Sequence, residues 1–203
     1  MSNALIIDAC RSPRGIGKQG KGALADMHPQ HLAACVLKAI ASRNSLDTAE
    51  IDDIIWGTSA QVGAQSGDLA RMAALDAGYD LRASGLTLDR FCGSGITSVN
   101  LAAGMVMSGM EDLLIAGGTE MMSMPARRLG EGPPMMDSGN LRLRHSHPQS
   151  HQGVCADAIA TMESIGRETL DALAAESQRR AAHAIEQGFF DRSLVPVYRA
   201  DGS

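Results

Sequence analysis

Cys92 has the setting of a nucleophile. It lies in Leu86-Thr87-Leu88-Asp89-Arg90-Phe91-Cys92-Gly93-Ser94-Gly95-Ile96-Thr97, where the pattern changes from strand to helix. Leu86 to Phe91 alternates branched and apolar residues after the turn formers Ser84 and Gly85, which predicts a short buried strand. From Ile96 onward, Val99, Ala103, Val106 and Met110 recur at steps of three and four, the spacing of one helix face. The first N–H groups of a helix lack internal partners and favour negative charge. A thiol at that point is favoured as thiolate, the form that attacks. Gly93 and Gly95 keep the backbone bare, so a substrate carbonyl could approach their N–H groups. The alternative is a buried cysteine acting as a small hydrophobe.

Two further sets of residues invite chemistry and fail on context. Gly15-Ile16-Gly17-Lys18-Gln19-Gly20 matches G-x-G-x-x-G, and Gly15 to Lys21 matches the start of a phosphate loop. The dinucleotide motif needs its glycines directly between strand and helix, but Pro13-Arg14 precede them and Gly22, Asp26 and Pro29 follow. The phosphate loop needs Ser or Thr after its Lys, and Gly22 stands there. His145, His147, His151 and Cys155 have no tight ligand spacing and no adjacent acid, so no metal site is expected. His28 and His31 read as surface or capping groups.

The elements around these residues alternate between strand and helix. Ala4 to Cys10 reads as a buried strand, and Arg11-Ser12-Pro13-Arg14 opens a loop. Pro29 starts a helix with Leu32, Val36 and Ile40 as its stripe, ending near Arg43-Asn44. Asp52 to Ser59 is a strand, Gln61 to Gly67 a loop, and Asp68 caps a helix that stops at Gly78. The Cys92 unit follows, then a strand over Asp112 to Ala116. This order predicts an α/β fold, a mostly parallel sheet with helices on both faces. Ligands in such folds bind beyond the carboxyl ends of the strands. Gly15–Gly20, Gln61–Gly67, Cys92 and Gly118–Glu120 all follow strands and could converge on one edge. Residues 121–152 are rich in Met, Pro, Arg, Gly and Ser without a period, an extended excursion over the surface. Gly153 to Ser164 and Glu168 to Gln187 then read as helices.

Composition sets the outer limits. The 203 residues are 44% hydrophobic and 20% charged, enough for one good core and too apolar for a disordered chain. Aromatics are 3% against 22 glycines, which suits small residues letting helices lie close on a sheet. Cys10, Cys35, Cys92 and Cys155 are widely spaced, so neither a disulfide framework nor a cysteine zinc site is indicated. The net charge of -5 argues against nucleic acid as main partner. No secretory signal and no apolar stretch long enough to span a membrane are expected, and a cytoplasmic location follows by default.

The chain resembles the amino-terminal half of a thiolase, an acetyl-CoA acetyltransferase or 3-ketoacyl-CoA thiolase. Asp8 to Leu24 is similar to the family's opening D-A-x-R-T-P-x-G-x-x-G-G-x-L loop. Gln61-Val62-Gly63 and Asp68-Leu69-Ala70-Arg71 resemble its Q-x-G and N-x-A-R segments, with Asp68 where Asn is usual. Asp89 to Gly95 is similar to N-x-x-C-x-S-G, again with Asp for Asn. Gly117 to Ser123 resembles G-G-x-E-x-M-S. His151-Gln152-Gly153 resembles H-M-G, with Gln152 for Met, and Ser177 to Ala181 resembles S-Q-x-R-A.

The resemblance implies a thiolase-like α/β fold, with residues 1–120 as the amino-terminal core lacking its last strand. Residues 121–203 would be part of an inserted loop domain, or lid. It implies catalysis by Cys92, with His151 and Gln152 on the acyl side of the pocket, where the Gln departure bears on acyl-chain preference. It implies an acyl-CoA C-acyltransferase working through acyl-cysteine, with coenzyme A as substrate or product and no resident cofactor or metal. The Cys92 N–H would help hold the oxyanion. A homodimer or homotetramer is the expected assembly, with no nucleic acid or membrane partner. The family's C-x-G-G-G cysteine and G-H-P histidine have no counterpart here, so a nucleophile-bearing fragment or one piece of a split enzyme is expected. The alternatives are an inactive thiolase-like module that binds acyl-CoA or a partner protein, and a ketosynthase-like condensing enzyme. Arg127, Arg128, Arg142 and Arg144 read as a solvated basic face, or as contacts to CoA phosphates.

Overall fold

The computed structural model describes residues 3–124 and 136–198. Three strands, β1 (Asp53–Gly57), β2 (Leu86–Leu88) and β3 (Leu114–Gly118), form a sheet in the order β2-β1-β3. Six helices accompany it: α1 (Pro29–Asn44), α2 (Leu69–Asp76), α3 (Ser94–Ser108), α4 (Leu141–Ser146), α5 (Gln152–Met162) and α6 (Arg167–Glu186). The described residues fall into two compact units. Residues 3–124 and 192–198 make one, and residues 136–191 make the other. Thus 192–198 belong with the first unit rather than with the loop region that the sequence assigned to 121–203.

The first unit is an α/β layer structure. β1 is central and parallel to both neighbours, with Gly57 opposite Leu88 on one side and Gly118 on the other. All three strands therefore end on one edge, as expected. Side chains alternate across a strand, so β1 serves two faces. Ile54 and Trp56 join Leu37 of α1 and Leu69, Ala70 and Ala73 of α2 in the main core. Gly57, of the other parity, lies under Ser94 of α3. Each fully buried Leu or Ile on the first face contributes about 1.5–3 kcal/mol relative to exposure. Tyr79 brings its ring into the same core and donates its hydroxyl to the Leu37 carbonyl at 2.7 Å.

Local signals behave as their chemistry dictates. Pro29 opens α1, His28 Nδ1 accepts from the Gln30 N–H at 3.3 Å, and Ser45 closes the helix in a left-handed conformation. His31 pairs with Asp76 at 2.9 Å on the surface. Asp68 caps α2 by accepting from the Arg71 N–H at 3.4 Å and from Thr87 Oγ1 at 2.8 Å. The α1 stripe turns towards Leu32, Ala33 and Leu37, which are buried, more than towards Val36 and Ile40.

Four expectations need correction. Ala4 to Cys10 is not a strand here, and Leu5 and Ile6 are each 82% exposed. A strand needs a neighbour to take its ladder hydrogen bonds. This segment instead ties down through Asp8, whose carboxylate accepts from Arg43 at 3.1 Å and Asn44 at 3.0 Å. Arg11 then meets the returning chain, with the Arg11 N–H donating to Ser193 O and the Val195 N–H to Arg11 O, both at 2.8 Å. The strand before Cys92 is three residues long and lies at a sheet edge, not buried throughout.

The face of α3 that sequence spacing marked as apolar is not its buried side: Ile96 is 71% exposed, Val99 and, beyond the helix end, Met110 are exposed, and Ala103 and Val106 are only half-buried. Ser94 and Ser98 are the residues it buries. Finally, the window Phe91–Ser108 is long and apolar enough to cross a membrane by length and composition, with mean hydropathy 1.2. The sequence reading excluded any such stretch. Its small polar residues, Ser94 and Ser98, are the side that lies on the sheet, so α3 occupies the place of a covering helix in an α/β layer.

The second unit is helical. α6 runs for 20 residues, and α5 begins at Gln152 with His151 as its cap. Arg144 of α4 is held by Asp137 through two bonds, 2.5 and 2.6 Å, and that guanidinium keeps the Asp137 carboxyl down at about 2.

Candidate active site

The site begins where β2 runs into α3. Cys92 sits there with its side chain exposed. Burial pushes the Cys10 and Cys35 thiols up, which leaves Cys92 and Cys155 as the exposed pair. Of these, only Cys92 adjoins strand ends. The chain turns there through Phe91, which has φ +48. That is left-handed backbone, costly for a residue with a Cβ.

Four polar contacts fix the turn. Asp89 Oδ1 accepts from the Phe91 N–H at 2.7 Å. Ser94 Oγ accepts from the Arg90 N–H at 2.9 Å and donates to Phe91 O at 2.7 Å. The Gly93 N–H donates to Arg90 O at 3.0 Å. That last bond corrects one expectation, because the Gly93 N–H is already spent on the turn. Around Gly95 the space is open, since a Cβ there would meet nothing within 4 Å. An acyl group can therefore approach the first turn of α3 from that side.

Ser94 must be small and α3 must lie close. A Cβ on Gly57 would stand 2.8 Å from Ser94 Cβ and 2.9 Å from its carbonyl carbon. Farther along, Ser98 Oγ lies 2.8 Å from Gly95 O and 3.0 Å from Gly117 O, so its one proton serves both helix and sheet. These contacts fix the start of the helix relative to the strand ends.

The neighbouring strand ends form a second polar cluster. Glu120 follows β3, and its carboxylate accepts from the Ser59 N–H at 2.7 Å, Ser59 Oγ at 2.6 Å and Gln65 Nε2 at 2.9 Å. Burial raises the Glu120 carboxyl, but the Ser59 and Gln65 donors outweigh it and bring it below the ordinary value. Gln65 Oε1 accepts from the Met121 N–H at 2.6 Å, and Trp56 Nε1 donates to Thr119 Oγ1 at 2.9 Å. Loop 61–67 is thereby tied to the end of β3, as convergence at one edge predicted. The Gly15–Gly20 loop reaches the same end, since Gly17 lies against Met122. No helix follows that loop until Pro29, so the dinucleotide motif lacks its context in the structure as well.

The sequence reading gave no role to Asp89, Ser94, Ser59, Gln65 or Glu120, although it quoted most of them within motifs. The signal for the turn is the Asp-x-x-Cys-x-Ser order, in which short polar side chains flank the elbow and can bond its backbone.

His151 and Gln152 belong to the second unit. His151 Nδ1 accepts from the Gly153 N–H at 3.2 Å, and Gln152 is exposed in the first turn of α5. Arg144 is committed to Asp137, which counts against a phosphate contact, whereas Arg142 is exposed. Arg127 and Arg128 lie outside the described residues. Among the described residues, no group of three His, Cys, Asp or Glu side chains is placed to hold a metal ion.

Comparison with known proteins agrees with this architecture. The chain is 33% identical to the steroid 3-ketoacyl-CoA thiolase FadA6 of Mycobacterium tuberculosis, over 100% of its own length and 51% of that protein. It is 36% identical to an acetyl-CoA acetyltransferase of Escherichia coli, over 97% of its length and 52% of the relative. A 3-oxoadipyl-CoA/3-oxo-5,6-dehydrosuberyl-CoA thiolase of the same organism is also 36% identical, over 97% and 52%. The chain thus spans about half the length of the curated relatives it matches. The family model "Thiolase, N-terminal domain" matches residues 4–202, and the chain belongs to the thiolase family.

Proposed function

We propose that the protein carries the nucleophile of an acyl-CoA C-acyltransferase that forms or cleaves 3-ketoacyl-CoA through an acyl-cysteine at Cys92. The observation that carries this reading is the exposed Cys92 thiol at a left-handed turn opening onto the amino end of α3. In the cleavage direction, the thiolate attacks the keto carbonyl of a 3-ketoacyl-CoA. The bond between the keto carbon and the α-carbon breaks. The acyl group stays on sulfur, and the acetyl-CoA carbanion leaves and takes up a proton. Free CoA thiolate then accepts the acyl group and restores Cys92. The Cys92 N–H at the helix start holds the developing oxyanion in the acyl-transfer steps.

An acyl-side role for His151 and Gln152 rests on the resemblance of His151-Gln152-Gly153 to the family's H-M-G segment, in which Gln152 is a more polar group than the usual Met. Coenzyme A enters as substrate and product, not as a resident cofactor. The exposed apolar side of α3 supports a homodimer or homotetramer, which light scattering would read.

Intact-mass analysis after incubation with acetoacetyl-CoA tests the reading. One acetyl adduct on the wild-type chain and none on Cys92→Ala is expected. Equal adducts on both proteins, or none on either, would overturn it. Calorimetric binding of CoA without any adduct would favour an acyl-CoA-binding module instead.

A further inference from the structure

We propose that Asp89 and Ser94 act as positioning residues that hold Phe91 in its left-handed conformation and so present the Cys92 thiol. This inference rests on Cys92 being the nucleophile. At φ +48 Phe91 adopts a conformation that only glycine takes without penalty. Side-chain packing does not compensate, because Phe91 is 59% exposed. Something else must over-determine the turn.

The two peptides that flank Phe91 are both clamped. On the amino side, Asp89 Oδ1 takes the Phe91 N–H at 2.7 Å and the Gly93 N–H donates to Arg90 O at 3.0 Å, while one peptide earlier Ser94 Oγ takes the Arg90 N–H at 2.9 Å. On the carboxyl side, Phe91 O accepts from Ser94 Oγ at 2.7 Å and from the Ser94 N–H at 3.1 Å. Ser94 is itself fixed, because it is buried against Gly57 with no room for movement towards the sheet. Its hydroxyl thus transmits the position of β1 to the elbow. Asp89, being exposed, contributes only through its hydrogen bond to the turn. Release of the turn would let Cys92 leave the helix start and would change how its thiol is presented to an incoming reagent.

The test uses iodoacetamide on the full chain, with the rates at Cys92 and Cys155 read separately by peptide mass. Cys155 is exposed in the second unit and serves as the internal reference. Asp89→Ala is expected to slow Cys92 roughly tenfold, the scale of losing one left-handed residue's support, with Cys155 unchanged. Asp89→Asn keeps the acceptor oxygen and is expected to restore the rate to within about twofold. Phe91→Gly removes the conformational penalty, so Asp89→Ala should cost less than about twofold in that background.

An equal tenfold loss in both backgrounds overturns the proposal. So does a Cys92 rate in Asp89→Ala that stays within about twofold of wild type. Should Asp89→Ala alone not fold, the comparison of Phe91→Gly with Phe91→Gly/Asp89→Ala carries the same test. Acetoacetyl-CoA separates this proposal from the one beneath it. Coupling at the elbow without an acetyl adduct removes the enzymatic reading and leaves the clamp. An adduct without coupling does the reverse.

Discussion

The two faces of β1 are packed by opposite means. On one, Ile54 and Trp56 meet Leu37 and Leu69, and bulk fills space. On the other, Gly57 meets Ser94, and closeness is set by the absence of side chains. The first face supplies stability through buried apolar area. The second also buries Ile55, of the same parity as Gly57, but at its carboxyl end it contributes geometry, because hydroxyl groups of Ser94 and Ser98 bond backbone rather than fill a core. The nucleophile stands on the second face. Stability and positioning are therefore carried on opposite sides of one strand, and substitutions should separate them.

The largest expected effect is on the bulky side. Leu37 is fully buried, so Leu37→Ala should lose about 2–5 kcal/mol of stability through lost transfer energy and a residual cavity. Urea unfolding would measure it. The native fraction should still alkylate Cys92 at the wild-type rate, since Leu37 packs in the α1–α2 core while the elbow is held by the hydrogen bonds of Asp89 and Ser94. A parallel loss of Cys92 reactivity in folded protein would break the division between the faces.

Gly57→Ala addresses the other side. The added methyl would lie 2.8 Å from Ser94 Cβ and 2.9 Å from the Ser94 carbonyl carbon, so α3 must shift. A cost of about 1–3 kcal/mol is expected from overpacking. Unlike Leu37→Ala, this variant should also slow Cys92 alkylation in the folded state, because the shift begins at Ser94. Gly57→Ala with wild-type Cys92 kinetics would show that the elbow is set locally and not from the strand.

What could be read from sequence follows the same division. Helix α1, strands β1 and β3 and the position of Cys92 were legible, because Pro29, the run Ile54-Ile55-Trp56 and the strand-to-helix change around Cys92 are local signals. The orientation of α3 was not. Ile96 and Val99 have helical spacing and look like an inner face, yet Ser94 and Ser98 lie inward, because a floor made by Gly57 accepts only small groups. Nor was the fate of Ala4–Cys10 legible, because a short apolar run specifies a strand only when a partner takes its ladder. In the site, the motif named Glu120 but not its work, since its partners Ser59 and Gln65 are 61 and 55 residues away.

Glu120 offers the smallest and most specific test, at the edge where the strand ends and loop 61–67 meet. Glu120→Gln replaces an acceptor-only carboxylate with an amide whose NH2 group must face a donor from Ser59 or Gln65. A loss of about 0.5–1.5 kcal/mol at neutral pH is expected. The pH dependence identifies the cause. The Glu120 carboxyl lies below its ordinary value in the folded protein because the Ser59 and Gln65 donors outweigh burial. Its contribution is therefore complete above the unfolded carboxyl value, about 4.3, and is lost as pH falls through the lower folded value. Wild type and Glu120→Gln should differ by a constant amount at neutral pH and converge in acid. A gap that persists unchanged down to acid unfolding would show that Glu120 acts through shape. In that case the strand-end edge would resemble the Gly57 face, governed by fit and not by charge.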